Sequence, residues 1–214
     1  MKERPILFSG EMVKAILDGR KTMTRRVIKP QPSIRTSVCI DANSPSGYSY
    51  SNDVYGDIYC KCPYGKVGDR LWVKTSHYKG MDSKSDIIVW DTFTRTIRWQ
   101  VEGVGDVENC EPELLTTNRF KFLAGRFMPK WAARIWLEIT AIRVERLQEI
   151  TPKDAVLEGL PCFIEYNKDW TVKQCIPPVE RFKTLWDSIN AKRGFGWESN
   201  PWVWVVEFKR TTQC

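Results

Sequence analysis

The stretch Gly19-Arg20-Lys21-Thr22-Met23-Thr24-Arg25-Arg26 decides how this chain is interpreted, because it joins a predicted helix to a dense group of cations. Ser9 stands at an N-cap position, and Gly19 suits the position just after a helix C-terminus. Between them, apolar residues recur at helical spacing, which predicts a helix over residues 10–19: Met12, Val13, Ile16 and Leu17. The helix therefore ends where the cationic segment begins.

Three later segments carry strand patterns. Residues 70–74, Arg-Leu-Trp-Val-Lys, follow a Gly-Asp turn and predict a short strand. Apolar residues alternate from Ile135 to Ile139 and continue in the opposite phase at Ile142 and Val144, which predicts one long strand bent at a bulge. The final segment, residues 202–208, is apolar on both faces, which is typical of a central or covered strand.

A helix with clear boundaries is predicted over residues 151–159. Thr151 occupies the N-cap, Pro152 the first helical position, and Gly159 the position after the end. Glu158 falls in the last turn, where the helix dipole disfavours a carboxylate by about 0.3–1 kcal/mol. Such a placement favours a functional explanation for Glu158. A second helix is predicted over residues 178–192 from its continuous apolar stripe.

Length and composition indicate one globular domain with insertions, or at most one domain and a small appendage. The chain has 214 residues, of which 42% are hydrophobic and 28% charged. The formal net charge of +7 favours polyanionic or phosphate-bearing partners. No signal peptide and no run of about 18 apolar residues is present, so we expect a cytoplasmic protein without a membrane partner. Its seven cysteines are then expected to be reduced thiols.

The sequence predicts no metal site and no cofactor. Cys60 and Cys62 are the only closely spaced cysteines, and no second pair lies near them to complete a zinc site. His77 is the sole histidine and has no catalytic motif around it. We expect it to be an ordinary polar residue at the end of a strand.

Taken together and in this order, these segments resemble ASCH domains, a branch of the PUA-like β-barrel folds. The resemblance rests on the pattern Gly-x-Lys-x-x-Thr-x-Arg at residues 19–26 and on residues 68–73, 135–159 and 203–209. It implies an α+β fold, a small PUA-like β-barrel with flanking helices, occupying residues 1–214 as a single domain. Two long insertions, at about 31–66 and 75–130, are absent from minimal family members. The chain looks like the long forms carried by bacteriophages and prophages, which implies the cytoplasm of a bacterial host.

One branch of this family consists of small bacterial amidohydrolases that deacylate N4-acetylcytidine with a lysine, a threonine and a glutamate. The resemblance carries these catalytic roles onto Lys21, Thr24 and Glu158. Three arginines are expected to bind the substrate or a nucleic acid. Arg26 would have either a structural role or a substrate-orienting one, through bidentate contacts, and Arg20 and Arg25 would meet phosphates.

Amide hydrolysis requires a nucleophile, a base and donors for the oxyanion. Thr24 can supply a hydroxyl, and Lys21 can act as its base only if the lysine pKa falls well below about 10.4. Burial and nearby arginines lower that pKa, whereas Glu158 raises it. A charged Lys21 would instead donate to the oxyanion while Glu158 activates a water. With a neutral Lys21, Glu158 would protonate the leaving nitrogen or hold the base ring.

Other functions fit the same residues. The net charge, the basic segment 20–29 and the family resemblance also predict a non-catalytic RNA- or DNA-binding module of phage origin. A ribonuclease is a third alternative, although the sequence has no obvious acidic cluster for a metal-dependent one. In the simplest interpretation, the basic segment is a solvated loop and Thr24 a turn residue. Whether the protein is an enzyme, and in what oligomeric state, stays open at this point.

Overall fold

The computed structural model describes residues 1–32, 38–40, 47–52, 56–81, 87–91, 97–99, 121–166 and 172–211. The helices are α1 (Gly10–Leu17), α2 (Pro152–Leu157) and α3 (Pro178–Asn190). The strands are β1 (Glu3–Leu7), β2 (Met23–Val27), β3 (Val38–Ile40), β4 (Gly47–Asn52), β5 (Gly56–Lys61), β6 (Arg70–Lys74), β7 (His77–Met81), β8 (Ile87–Asp91), β9 (Ile97–Trp99), β10 (Lys121–Leu123), β11 (Trp136–Arg146), β12 (Phe163–Tyr166), β13 (Val172–Ile176) and β14 (Trp202–Thr211).

A five-stranded sheet in the order β1-β6-β11-β14-β2 forms the centre of the fold. Strands β1 and β6 are parallel, and every other neighbouring pair in this sheet is antiparallel. The predicted α+β class is therefore confirmed. In the described part of the chain, β1 and β2 are the sheet's edges and no ladder joins them, so the sheet there is open. The predicted barrel is not seen among these residues.

Strand β14 is buried on both faces, as its sequence predicts. On one face, Trp204, Val206 and Phe208 pack in a core cluster with the buried side of α1. On the other face, Val203 and Val205 pack in a second cluster with residues of α2 and α3. Each fully buried side chain of this kind contributes about 1.5–3 kcal/mol. The helices on the two faces are thus held to one central strand.

The local predictions agree with the structure to within a few residues. Helix α1 begins after Ser9, and Gly19, with φ +72°, follows its end. The predicted bend in β11 is confirmed by a register shift between Ile139 and Ala141 against β14. Helix α2 begins at Pro152 with a capping box closed by Thr151. Helix α3 ends two residues earlier than predicted.

The two predicted insertions lie partly outside the described residues. In the first, β3, β4 and β5 form a three-stranded antiparallel sheet. In the second, four antiparallel strands follow the order β10-β7-β8-β9. The hairpin predicted at residues 87–99 is present as β8 and β9, although residues 92–96 lie outside the description. His77 is buried at the start of β7, where its Nδ1 lies 3.1 Å from the Thr75 carbonyl oxygen.

Among the helices that the structure describes, none combines the length and apolar character needed to cross a membrane.

Gly159 provides a test of how closely the end of α2 packs on the last turn of α1 and the segment that follows it. Its φ is +92°, and an added Cβ would lie 2.9 Å from Ala15 Cβ and 3.2 Å from Lys21 Cβ. Gly194 has a similar φ of +80° with nothing within 4 Å. Both Gly→Ala variants carry left-handed strain of about 1–2 kcal/mol, but only Gly159→Ala adds a clash worth about 1–3 kcal/mol.

We expect urea unfolding to show Gly159→Ala to be the less stable of the two variants by at least about 1 kcal/mol. Equal losses at the two positions would contradict the close packing of α2 against residues 15–21.

Candidate active site

The backbone brings Lys21 and Glu158 side by side although 137 positions separate them. The Lys21 amide donates to the Ala15 carbonyl at 2.9 Å, which fixes the chain as it leaves α1. The Thr22 amide then donates to the Leu157 carbonyl in the last turn of α2, also at 2.9 Å. An isolated antiparallel bridge pairs Lys21 with Glu158 directly. The segment after α1 is therefore joined to the end of α2.

The Lys21 ammonium is fully hydrogen-bonded inside the protein. Its Nζ donates to Glu158 Oε2 at 2.6 Å, to the Glu158 carbonyl at 2.9 Å and to the Met23 carbonyl at 2.7 Å. Lys21 is 3% exposed and Glu158 4%. An ammonium has three donors, so none is left for a ligand in this arrangement. A role in catalysis requires that at least one of these bonds be exchanged.

Burial lowers the pKa of Lys21 from its ordinary 10.5. Glu158 acts in the opposite direction through its charge and hydrogen bond, while Arg26 and Arg25 lower the pKa further. The proton on Lys21 is therefore held less tightly than on a lysine in water. Its contact with a carboxylate gives that proton a nearby acceptor.

Arg25 extends the ion pair into a buried network. Its side chain is 0% exposed, and Nη2 lies 3.1 Å from Glu145 Oε2 and 2.9 Å from Asp154 Oδ2. Nη1 lies 3.5 Å from Glu158 Oε1, so the two Glu158 oxygens face different cations. Burial raises the pKa of Asp154, but hydrogen bonds from the Thr151 backbone and the charge of Arg25 outweigh it and lower that pKa overall. Arg25 is thus held by three carboxylates.

Arg143, which the sequence did not single out, extends the network of ion pairs around Arg25. It pairs with Glu145 and Glu207, and its Nη2 lies 3.6 Å from Asp154 Oδ1. Two carboxylates, Glu145 and Asp154, therefore bridge Arg143 to Arg25. A signal was present in the sequence, since Arg143 and Glu145 lie two apart on one strand and so share a face. Their partners on β14 and α2 could not be read from that spacing.

The remaining predicted residues are placed differently from one another. Thr24 lies on β2 and is 4% exposed. Arg26 Nη2 donates to the Leu7 carbonyl at 2.7 Å, and its guanidinium lies 5.2 Å from the centre of the Phe8 ring. Arg20 is on the surface, paired with Asp18 at 2.7 Å. The three predicted substrate-binding arginines therefore do not form one group.

An open cleft of about 510 Å³ runs along β2, the edge strand of the central sheet. Lys21, Thr24 and Glu158 all line it, and Arg26 does so as well. Six aromatic side chains also line the cleft: Phe8, Tyr64, Phe182, Trp186, Phe195 and Trp204. A volume in this range suits a small organic ligand. The cleft therefore combines aromatic walls with a buried proton-carrying pair.

The interpretation of residues 20–29 as a solvated loop is wrong. Residues 23–27 form a strand paired with β14, and Thr24 stands opposite Val206 rather than in a turn. Lys21 and Arg25 are buried because carboxylates from α2 and β11 compensate their charges.

Within the described ranges, no group of three or more His, Cys, Asp or Glu side chains is arranged to hold a metal ion.

The buried pair can be measured through a double-mutant cycle. We expect Lys21→Met or Glu158→Gln alone to cost about 3–5 kcal/mol, because each leaves a buried group without its partner. The double variant should be more stable than the sum of the two losses predicts by at least about 1 kcal/mol. Urea unfolding at neutral pH provides the measurement, and strictly additive losses would contradict a direct coupling.

Comparison with protein-family models, with curated proteins and with solved structures gives no match to this chain. The function is therefore inferred from the geometry of the cleft, together with the resemblance carried by residues 19–26 and 150–159.

Proposed function

We propose that this protein hydrolyses the exocyclic amide of an N4-acylated cytidine, and that its fold is a small ASCH-type member of the PUA-like class. The observation that carries the proposal is the 2.6 Å contact between Lys21 Nζ and Glu158 Oε2, which lines the same cleft as Thr24. These are the three residue types that the family resemblance assigns to catalysis. Here they come from two segments far apart in the chain.

The cleft's walls suit a nucleobase. Aromatic side chains offer faces on which a base can stack, and stacking of this kind contributes about 1–3 kcal/mol per base. Burial raises the pKa of Tyr64, so its phenol stays protonated and can donate a hydrogen bond. Within the described residues, Arg26 Nε has no hydrogen-bond partner, which leaves a donor for a base carbonyl. These groups support binding of a polar ring with an acyl substituent directed toward Lys21.

The reaction consumes one water and moves one proton. A hydroxyl oxygen, from Thr24 or from a water that Thr24 orients, bonds to the acyl carbon while the bond from that carbon to N4 breaks. The hydroxyl proton passes to the Lys21–Glu158 pair, and the pair gives a proton to N4 as it leaves. The products are a carboxylic acid and cytidine with a free amino group. If Thr24 is the nucleophile, a second attack by water releases the acid from its oxygen.

The Lys21–Glu158 pair suits this transfer because both partners are already in contact. A base and an acid with a proton between them can accept and return it once one of the Lys21 hydrogen bonds is exchanged for a bond to the substrate or the attacking water. Burial lowers the pKa of Lys21, so the neutral amine is more accessible at neutral pH than it is for a lysine in water. The nearby Arg25 holds the other Glu158 oxygen at 3.5 Å and so limits the rotation of the carboxylate. The pair is thereby oriented as well as coupled.

The direct test is turnover of N4-acetylcytidine, followed by chromatographic separation of cytidine. We expect Lys21→Met, Glu158→Gln and Thr24→Val each to lower kcat/KM by roughly 10²–10⁴-fold, because each removes a group used in proton transfer or attack. A mass increase of one acetyl group on Thr24 during turnover would identify it as the nucleophile; its absence, with turnover intact, would assign attack to water.

The matched control uses the exposed pair Lys183 and Glu198, whose Nζ and Oε1 lie 3.1 Å apart. Lys183→Met and Glu198→Gln make the same chemical changes outside the cleft and should leave turnover unchanged. All assays are run well below each variant's unfolding temperature. Absence of turnover by the native protein, or turnover that survives both Lys21→Met and Glu158→Gln, would reject the proposal.

A second candidate function is binding of a nucleic-acid strand, and a separate observation favours it. Besides Lys21 and Arg25, four further cations line the cleft: Arg26, Lys29, Lys61 and Arg193. In the part of the chain that the structure describes, no carboxylate pairs with any of them, whereas Lys21 and Arg25 are fully compensated. Lys29 lies over the Phe195 ring at 5.2 Å. Cations beside aromatic faces are the features that single-stranded nucleic acids contact.

Salt dependence distinguishes this function from simple charge attraction. We expect the triple variant Lys29→Ala, Lys61→Ala, Arg193→Ala to reduce the slope of log affinity against log salt for a single-stranded oligonucleotide by about 2, at roughly 0.7 per phosphate contact. The control triple, Lys130→Ala, Lys183→Ala, Lys209→Ala, removes the same charge from sites paired with glutamates. Equal slopes for the two triples would argue against a strand in the cleft.

A further inference from the structure

Two exposed thiols lie in contact at the base of the hairpin formed by β12 and β13, apart from the candidate active site. Cys162 immediately precedes β12 and Cys175 lies on β13, and their Sγ atoms are 2.9 Å apart. Both side chains are exposed. The antiparallel ladder places Phe163 opposite Ile176 and Ile164 opposite Cys175. Backbone pairing therefore holds the two sulfurs near each other.

The distance favours a direct bond over a shared metal ion. Two thiolates on one zinc, at about 2.3 Å each in tetrahedral geometry, would stand about 3.8 Å apart. A disulfide requires about 2.05 Å, so the sulfurs need to approach by less than about 1 Å from the observed 2.9 Å. In the described residues no other metal-binding side chains join them in a group of three. The pair is therefore suited to oxidation rather than to coordination.

The surroundings supply a positive charge. The Arg181 guanidinium donates to the Pro161 carbonyl at 2.5 Å and lies 5.5 Å from the centre of the Phe163 ring. The hydrogen bond with Cys175 raises the pKa of Cys162, and the charge of Arg181 opposes that rise. A cation beside an exposed thiol stabilises the thiolate that forms as the thiol reacts. Access and charge are thus both present.

We propose that Cys162 and Cys175 form a reversible disulfide by exchange with a low-molecular-weight disulfide. One thiolate attacks the external disulfide, forming a mixed disulfide and releasing one small thiol. The second thiolate attacks the protein sulfur of that mixed disulfide, forming the internal bond and releasing the other small thiol. Two protein thiols are oxidised, one external disulfide is reduced to two thiols, and their protons go to those products.

The Cys162–Cys175 pair lies between two elements that line the cleft, so its oxidation would affect how they are held. Cys162 follows Glu158 by four residues, and α3 begins three residues after Cys175. Helix α3 contributes Phe182, Leu185 and Trp186 to the cleft wall. An internal bond would tie the end of the α2 segment to the start of α3. This proposal does not depend on the function proposed for the cleft.

The test equilibrates the full chain with mixtures of oxidised and reduced glutathione, followed by alkylation and tryptic peptide mapping. Lys168 and Lys173 lie between the two cysteines, so trypsin separates them unless a disulfide joins the peptides. We expect the joined peptide to appear with oxidised glutathione and alkylation of both thiols to fall roughly tenfold. Reduced glutathione in excess should restore both thiols.

Two variants make the result decisive. Cys162→Ser should accumulate glutathione on Cys175, because the second attacking sulfur is missing. Cys62→Ser should leave the joined peptide unchanged, because Cys62 is buried within the main core cluster. Glutathione that persists on Cys162 or Cys175 of the native chain without a joined peptide would overturn the proposal. So would thiols that stay fully reduced in both the native chain and Cys162→Ser.

Discussion

The removal of two cations from water constrains the rest of this structure. Lys21 and Arg25 lie on or beside an edge strand, where a side chain could easily reach solvent, yet both are buried. Each buried charge without a partner would cost several kcal/mol. The compensating carboxylates come from positions 120 to 137 residues further along the chain. The position of α2 against β2 is therefore fixed by electrostatics as well as by apolar packing.

The same requirement explains why α2 is so sharply defined. Asp154 closes the capping box by accepting a hydrogen bond from the Thr151 backbone amide. It also accepts a hydrogen bond from Arg25 Nη2. The Asp154 carboxylate therefore caps the N-terminus of α2 and also neutralises Arg25 on β2. Glu158, one turn later, performs the second neutralisation through Lys21. The short helix positions both acids, and the apolar contacts of Ala155 in the second core cluster hold it in place.

Local pattern predicted the elements because their causes are local. The spacing of apolar residues predicted α1 and α3, and a change in the phase of alternation predicted the bulge of β11. The N-cap Thr151, the first-turn Pro152 and the terminating Gly159 predicted α2. The environment of the basic segment could not be predicted in this way. Solvated and buried arginines look alike in sequence, and the difference depends on partners brought close only by the sheet order. Arg25 was therefore expected to meet phosphates, whereas in the structure it meets Glu145, Asp154 and Glu158.

Lys21 compensates for the unfavourable position of Glu158 at the C-terminal end of α2. A carboxylate at the C-terminal end of a helix is disfavoured because the helix's last carbonyls are already negative. Lys21 removes that conflict, since its Nζ donates both to the Glu158 carboxylate and to the Glu158 backbone carbonyl. Lysine near a helix C-terminus commonly caps such carbonyls. Lys21 therefore stabilises α2 whether or not it moves a proton. Loss of turnover in a Lys21 variant therefore bears on the proposed reaction only when the variant's stability is measured as well, because displacement of α2 would also displace Glu158.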